Sequence, residues 1–208
     1  MGEKCVLAMV GHTAAGKTTL AKYLSEKLNI PYVSEGEIKR GLKSEYTSEN
    51  SLDESLRDKG YKIAIARCVE LLAENNTVII DASFHKFIRR GWLFDAIGTQ
   101  SKANIIWLHC DCPNEFKVKE RLNRRAVAKE KNADNQADQF YIYKYIKSTF
   151  DAVSLDEFNP FIGVAIVDIN TADNIIIGLE KNTYCRTKLL GKLIQSIIPD
   201  YLQLQRLL

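Results

Sequence analysis

Short continuous apolar runs alternate along the chain with longer stretches in which apolar residues recur every three or four positions. Runs of strand length lie at 5–10, 30–33, 77–81, 103–110 and 164–169. The stretches between them have the spacing of amphipathic helices, and they predict helices at 17–28, 37–42, 51–72, 86–97, from 113 or 114 onward, and at 136–152. Continuous apolar strands that alternate with helices are typical of a buried parallel sheet. The pattern therefore predicts an α/β fold of three layers, in which a five-stranded parallel sheet lies between two layers of helices.

No linker or repeat divides the chain, and its 208 residues suffice for one α/β domain with a substantial core. We expect a single domain over 1–208, with a helical lid at about 115–136 and a helical tail at about 183–208. Apolar residues in the tail have helical spacing up to residue 198. This spacing does not decide whether the tail packs on the sheet or forms a dimer, so a monomer and a homodimer are both compatible with it.

Composition and charge narrow the possible partners. Hydrophobic residues make up 46% of the chain and charged residues 26%, which is ordinary for a globular protein. The net charge of +3 is mild, and nucleic-acid binders usually carry a concentrated basic surface, so nucleic acid is a possible but not a favoured partner. No apolar run approaches the ~20 residues that span a bilayer, and we expect no membrane association.

The cysteines indicate a reducing compartment. They are five in number and scattered, and those at 5 and 110 lie inside apolar runs, which predicts buried thiols. The first chemical motif starts at residue 11, and we expect no leader peptide before it. We therefore expect a cytoplasmic protein.

The most specific motif is the phosphate-binding loop pattern G-x-x-x-x-G-K-[ST], which residues 11–18 match between a strand and a helix. Gly11 and Gly16 let the backbone curl so that successive N–H groups point at an anion. Lys17 supplies a positive charge to the β- and γ-phosphates, and the Thr18 hydroxyl is a ligand for Mg²⁺. Thr19 could equally be a residue of the helix surface. We predict a nucleotide-binding site made of Gly11, His12, Thr13, Ala14, Ala15, Gly16, Lys17, Thr18 and Thr19, with no catalytic role for His12.

Asp81 ends the apolar run at 77–81. Ligands of parallel α/β sheets gather at the carboxyl ends of the strands. A carboxylate there could contact Mg²⁺ or the substrate, and the alternative is an aspartate that caps the next helix.

Glu37 and Arg40 follow the second strand at i,i+3 spacing, so both lie on one helical face. A carboxylate at this place could accept the proton of an attacking hydroxyl, and Arg40 could hold the acceptor. A solvent-exposed ion pair is an equally good interpretation, and Glu35 is a rival for the role of the base.

Further basic residues follow the third and fourth strands. Arg121, Arg124 and Arg125 with Lys117 form a one-sided cluster, and arginines on a closing segment commonly meet the charge of a transferring phosphoryl group. The alternative is a solvated helix face. Two more arginines, which could bind an anionic acceptor or lie on the surface, are Arg89 and Arg90.

Together these positions resemble the small P-loop kinases, AAA-type proteins grouped with the kinase part of polynucleotide kinase, zeta toxin, chloramphenicol phosphotransferase, gluconate kinase, adenylylsulfate kinase and seryl-tRNA kinase. The resemblance covers roughly residues 4–171. The phosphate loop carries most of it. The other matches are Glu37 and Arg40 at an Asp-x-x-Arg motif, Asp81 with Ala82 and Ser83 after the third strand, Arg89 or Arg90 on the next helix, the lid signature at 120–125, Ala137-Asp138 with Tyr143 and Phe150, and a loose match at 168–171.

The resemblance implies a P-loop NTPase fold and transfer of the γ-phosphoryl group of ATP, with Mg²⁺, to a hydroxyl of a small molecule. Lys17 and Thr18 would hold the phosphates and the metal, to which Asp81 would be a further contact. Glu37 would be the base, Arg40 would fix the acceptor, and the transferred group would be stabilised by Arg121 and Arg125. The chain departs from the family by a Glu in place of Asp at 37, and by Ala14-Ala15 where a glycine is common.

Two other functions are compatible with these motifs. One is a kinase that acts on a nucleic-acid hydroxyl, either a polynucleotide end or an aminoacyl-tRNA. The other is a non-catalytic nucleotide-binding regulator, although the N-K-x-D motif of a guanine-specific switch does not occur in the sequence.

Overall fold

The computed structural model describes residues 3–42, 54–101, 103–127, 140–158 and 162–185. Within these ranges the helices are α1 (Lys17–Leu28), α2 (Glu35–Gly41), α3 (Glu54–Glu74), α4 (Phe87–Gln100), α5 (Glu115–Val127) and α6 (Phe140–Ser148), with a 3-10 turn at Leu155–Glu157. The strands are β1 (Cys5–Val10), β2 (Tyr32–Ser34), β3 (Thr77–Asp81), β4 (Asn104–Asp111), β5 (Val164–Asn170) and β6 (Ile175–Lys181). The predicted alternation of strands and helices is therefore confirmed.

The sheet has the order β2-β3-β1-β4-β5-β6, and its first five strands are parallel. The predicted count of five strands is wrong by one, because β6 pairs with β5 in the antiparallel direction. This strand lies at the edge of the sheet and its side chains are mostly exposed or half-buried, so it lacks the continuous buried run that identifies the central strands. Its residues Ile175, Ile177 and Leu179 are all exposed.

Two apolar cores lie on opposite faces of the sheet. Alternate residues of β1 contribute to each, since successive strand side chains point to opposite faces. Val6, Ala8 and Val10 pack with residues of α3 and α4. Cys5, Leu7 and Met9 pack with residues of α1. All six β1 side chains are consequently buried, and the three-layer arrangement is confirmed.

The phosphate loop leaves β1 at the middle of the sheet. Strand β1 lies between β3 and β4, in register such that Met9 is paired with Asp81 and Val10 with His109. On the far side of β3, Ser34 at the end of β2 is paired with Asp81. The carboxyl ends of β1, β2 and β3 thus converge on one edge, where ligands of parallel α/β sheets bind.

Several element boundaries differ from the predicted ones. Helix α2 begins at Glu35 rather than at 37, because the Ser34 side chain caps it by accepting a hydrogen bond from the Glu37 N–H. The described residues do not include the segments 43–53 and 128–139 or the tail from 186 onward. The predicted tail helix and the positions Ala137 and Asp138 therefore lie outside them.

Candidate active site

Gly11 and Gly16 shape the phosphate loop. Gly11 has φ +143°, and a Cβ placed on it would lie 2.1 Å from the Cys110 carbonyl oxygen of the neighbouring strand. Gly16 has φ +88°, a conformation that favours glycine. Ala14 has φ 61° and so occupies the left-handed region with a side chain, at the place where relatives of the predicted family often have glycine. The loop is therefore set by backbone conformation and by the close approach to β4.

Lys17 is the first residue of α1 and its side chain is buried. The ammonium group donates a hydrogen bond to the His12 carbonyl oxygen across the loop, at 2.7 Å. Burial lowers the pKa of Lys17, and the negative charge of Asp81 opposes this effect. The first amides of a helix have no acceptor within that helix, so this ammonium stands beside N–H groups that can bind an anion.

His12 ties the loop to the end of β4. Its Nδ1 lies 2.8 Å from the Thr13 carbonyl oxygen, and its Nε2 lies 3.0 Å from Asp111 Oδ1. The hydrogen bond to His12 lowers the pKa of Asp111. The ring also packs edge-on against Tyr143 of α6, with 4.9 Å between the ring centroids. These contacts give His12 a structural role and connect α6 to the loop.

Thr18 and Asp81 meet at the sheet edge as a hydroxyl and a carboxylate. Thr18 Oγ1 donates to Asp81 Oδ2 at 2.7 Å, and the Tyr32 hydroxyl donates to the same oxygen at 3.0 Å. Mg²⁺ prefers oxygen ligands and usually takes one or two from the protein, with the rest from phosphates and water. The oxygen atoms of Thr18 and Asp81 fit that pattern.

A cavity of about 730 Å³ opens over the phosphate loop. It is lined by residues 13–19 of the loop and of α1, by residues of α2, and by Arg57 of α3. Asp81, Ala82 and Ser83 line it at the end of β3, and α5 and α6 contribute Arg125, Ile142 and Ile146. The structure therefore brings the predicted residues Lys17, Thr18, Thr19, Glu37, Arg40, Asp81 and Arg125 together around one space.

Two carboxylates of α2 line this cavity. Glu35 is 5% exposed, and its Oε1 lies 3.3 Å from Lys39 Nζ but accepts no hydrogen bond within the described part of the chain. The Glu37 side chain is 51% exposed and lies 3.5 Å from Arg40 Nη2. Glu35, the rival in the sequence, is thus the more deeply placed of the two.

The lid arginines have different surroundings. Arg121 donates to the carbonyl oxygens of Ala14 and Thr171, at 3.0 and 2.7 Å, and also to the Thr171 hydroxyl at 3.0 Å. Arg124 is exposed and forms an ion pair with Glu120 on the same helix. Arg125 lines the cavity, whereas Arg121 and Arg124 are not part of its lining. Arg121 accordingly holds the loop in place from outside the cavity.

Arg89 and Arg90, which the sequence suggested as acceptor contacts or surface residues, are both buried and outside the cavity lining. All three nitrogens of the Arg90 guanidinium are engaged. Its Nε and Nη2 each donate to the Glu157 carboxylate at 2.7 Å, and its Nη1 donates to the Phe84 carbonyl oxygen at 2.8 Å. Arg89 forms ion pairs with Glu54 and Asp58 of α3. A surface position is wrong for both residues, because these pairs replace water around the guanidinium groups.

Arg57 is a residue of the cavity that the sequence motifs did not predict. It is 7% exposed and lines the cavity. A signal exists in the helical spacing, since Arg57 lies four residues before the buried Tyr61 on the face that also carries Ala64 and Cys68. An arginine on the apolar stripe of a helix is unusual, and such a residue is a candidate for binding a ligand.

The sequence of the chain is similar to those of known proteins. A family model described as AAA domain matches residues 6–144. Shikimate kinase from Staphylococcus epidermidis is 25% identical over 193 residues, which cover 89% of this chain and 95% of that protein. Adenylate kinase from Ruminiclostridium cellulolyticum is 31% identical over 127 residues, which cover 57% of this chain and 59% of that protein.

Among solved structures, a Chloroflexus aurantiacus protein described provisionally as a kinase has a TM-score of 0.62 at 18% identity. The similarity covers 83% of this chain and 91% of that one, and it shows a shared fold. Within the described ranges, no helix is both long and apolar enough to cross a membrane. The predicted resemblance is confirmed: the chain belongs to the AAA domain family, and its relatives identify it as a nucleotide-dependent P-loop kinase.

Proposed function

We propose that the protein transfers the γ-phosphoryl group of ATP to a hydroxyl group of a small molecule. The observation that carries this proposal is the shared cavity, which is lined both by the phosphate loop and by the carboxylates of α2. A phosphoryl donor and an acceptor must meet in one water-excluding space with a base nearby. The volume of about 730 Å³ lies in the range of small-molecule sites, which favours a small acceptor over a polymer.

The names of two relatives agree with a hydroxyl acceptor. One relative is a shikimate kinase, and a structure from Janibacter with a TM-score of 0.54 and 17% identity is described as a sugar kinase. Shikimate and sugars both carry hydroxyl groups. The adenylate kinases are named for a nucleotide acceptor instead, so the relatives alone leave the acceptor group undecided.

The reaction assigns a task to each side of the cavity. The acceptor oxygen forms a bond to the γ-phosphorus while the bond from that phosphorus to the β–γ bridging oxygen breaks, and ADP leaves. Lys17 and the amides at the start of α1 stabilise the charge on the phosphate oxygens. Arg125 approaches the same space from α5 and meets the charge of the transferred group. Mg²⁺ bound at Thr18 and Asp81 would neutralise the phosphates.

We assign the role of the base to Glu35, which accepts the hydroxyl proton. Its carboxylate is buried in the cavity wall and has an oxygen that accepts no hydrogen bond from the described residues. It also contributes to the electrostatic environment of Lys17. Both α2 carboxylates lie beside a cation, but Glu37, the base that the sequence favours, is half exposed whereas Glu35 is buried, so Glu37 is better suited to positioning Arg40.

The test is phosphorylation of a metabolite pool with ATP and Mg²⁺, read by mass spectrometry for products that gain a phosphoryl group. Wild-type protein should yield at least one phosphorylated hydroxyl compound. Lys17→Ala should abolish the product while leaving the circular dichroism spectrum unchanged. Lys62→Ala removes an exposed lysine from α3 outside the cavity lining and serves as the matched control. ATP binding without any acceptor-dependent product would contradict the proposal and favour a nucleotide-binding regulator.

A further inference from the structure

Arg57 lines the cavity and has no partner among the residues that the structure describes. Arg57 is 7% exposed, and within the described ranges its guanidinium has no hydrogen-bond or ion-pair partner. Arginine carries its charge at every physiological pH. A buried charge is costly unless it is paired. No guanidinium nitrogen of Arg57 is among the fully buried unpartnered atoms, so the group is open to the cavity, where a bound anion would pair with it.

The carboxylates near Arg57 are engaged with other cations. Glu54 and Asp58, which lie on α3 with Arg57, both pair with Arg89 of α4. The distance from Arg89 Nη2 to Asp58 Oδ1 is 2.8 Å. Glu35, which also lines the cavity, pairs with Lys39. Because these three acids already have cationic partners, none of them is the counter-ion of Arg57.

Two further buried groups near Arg57 have atoms without a partner. His85 is fully buried, and both of its ring nitrogens lack a partner among the described residues. Arg89 Nη1 is also buried without an acceptor there. Burial and the positive charges of Arg57 and Arg89 lower the pKa of His85 to about 2, so this histidine is neutral and adds no charge that could pair with Arg57.

We propose that the acceptor carries an anionic group, a carboxylate or a phosphate, and that Arg57 binds this group at the α3 side of the cavity. This inference rests on the proposed function and narrows its acceptor from any hydroxyl compound to a hydroxylated anion. Arginine binds either group through two parallel N–H donors, which orients the ligand as well as attracting it. With its anion held by Arg57, the acceptor would present its hydroxyl to the carboxylates of α2, which line the same cavity.

Direct binding tests the anion site independently of phosphoryl transfer. The protein is first saturated with Mg²⁺ and a non-hydrolysable ATP analogue, so that the phosphate loop is filled. Inorganic phosphate and acetate are then titrated separately by calorimetry, which distinguishes a phosphate site from a carboxylate site. At least one anion should bind to the wild type, and Arg57→Met should weaken it about 10- to 100-fold.

Two further variants control this measurement. Arg67→Met removes an exposed arginine of the same helix, which is paired with Glu70, and should leave anion binding unchanged. Arg57→Lys keeps the charge without the two-pronged geometry and should recover part of the affinity, so the test stands even if Arg57→Met does not fold. The inference is overturned if neither anion binds to the wild type, or if Arg57→Met binds as tightly as Arg67→Met.

A second measurement separates this inference from the proposed function. The metabolite pool is divided on an anion-exchange resin, and each fraction is supplied with ATP and Mg²⁺. Phosphorylated products should arise from the retained, anionic fraction, with kcat/KM for the acceptor reduced in Arg57→Met. Products from the unretained fraction alone would overturn the anionic acceptor while leaving the kinase proposal intact. Anion binding that depends on Arg57, with no product from either fraction, would support the anion site and contradict the proposed function.

Discussion

At the scale of single residues, the site depends on close contacts between the loop, its side chains and neighbouring backbone. Gly11 faces the Cys110 carbonyl, and Lys17 donates to the His12 carbonyl across the loop. Thr18 and Tyr32 both donate to one oxygen of Asp81. A change of one atom at these positions therefore meets backbone or a hydrogen-bonded partner, and its effect should be large.

Gly11→Ala should destabilise the protein by an amount at the upper end of about 1–3 kcal/mol, because the new Cβ meets a carbonyl of the adjacent strand that cannot move aside. Urea denaturation gives the free energy of unfolding, and Gly91→Ala is the matched control. A Cβ at Gly91 meets nothing within 4 Å. If Gly11→Ala unfolds at the same urea concentration as the wild type, β4 can shift to make room for the new Cβ.

Glu35→Gln should lower kcat by about 10²-fold or more if Glu35 is the base, because the amide cannot take the acceptor proton. The KM for ATP should change little, since the phosphate loop is intact. Glu37→Gln is the isosteric control on the same helix. If Glu37→Gln shows the larger loss of kcat, the base is Glu37, as the sequence favours.

At the scale of elements, charged side chains connect helices to distant segments. The Arg90 guanidinium of α4 joins the 3-10 turn through Glu157, and it also reaches the Ala152 carbonyl oxygen. Glu157 in turn accepts from the Ser154 N–H in a capping box. Arg121 of α5 similarly connects the lid helix to the loop and to the residue after β5. These arginines position elements and do not line the cavity.

Arg90→Met should cost about 3–5 kcal/mol of stability, because it leaves the Glu157 carboxylate buried without its cation. Combining it with Glu157→Gln should recover part of that loss, since the unpaired charge is then removed. Chemical denaturation of the two single variants and the double variant measures this coupling. Arg67→Met, at an exposed pair, should cost less than about 1 kcal/mol. Strictly additive losses at positions 90 and 157 would argue against a coupled pair.

At the scale of the whole molecule, the nucleotide site lies where three strands end and where α1, α2, α5 and α6 approach one another. Phosphate bound there would contact the loop and the start of α1. A ligand that binds the folded chain alone stabilises it in proportion to the logarithm of its concentration. The stability of the domain and the occupancy of the site are therefore expected to be coupled.

Mg²⁺ and ATP at about 100 times Kd should stabilise the wild type by about 2.7 kcal/mol, which raises Tm by several degrees. Lys17→Ala should remove most of this shift, and Lys62→Ala should keep it. Calorimetric scans with and without nucleotide provide the measurement. An equal shift in Lys17→Ala and the wild type would mean that the nucleotide stabilises the protein from another site.

Local physics made much of this protein predictable from its sequence. The run before the loop is apolar at every position, and a strand with this pattern is buried on both faces, so a buried β1 was predictable. The glycines, Lys17 and Thr18 lie within eight residues, and so short a motif can be found without knowing the fold. Placing Asp81 and the α2 carboxylates near the loop required only that the strands be parallel, because parallel strands end at a common edge.

The tertiary structure decided what depends on contacts between distant residues. Arg57, Arg89 and Arg90 are alike in the sequence, yet the fold gives ion-pair partners to Arg89 and Arg90 and leaves Arg57 at the cavity without one in the described ranges. Glu35 and Glu37 differ by two positions, but the Ser34 cap starts the helix early enough to bury the first and expose the second. Edge strand β6 exists through its pairing with β5 rather than through a buried pattern of its own. Burial and pairing of charge are properties of the packed chain, which is why spacing along the sequence could not assign them.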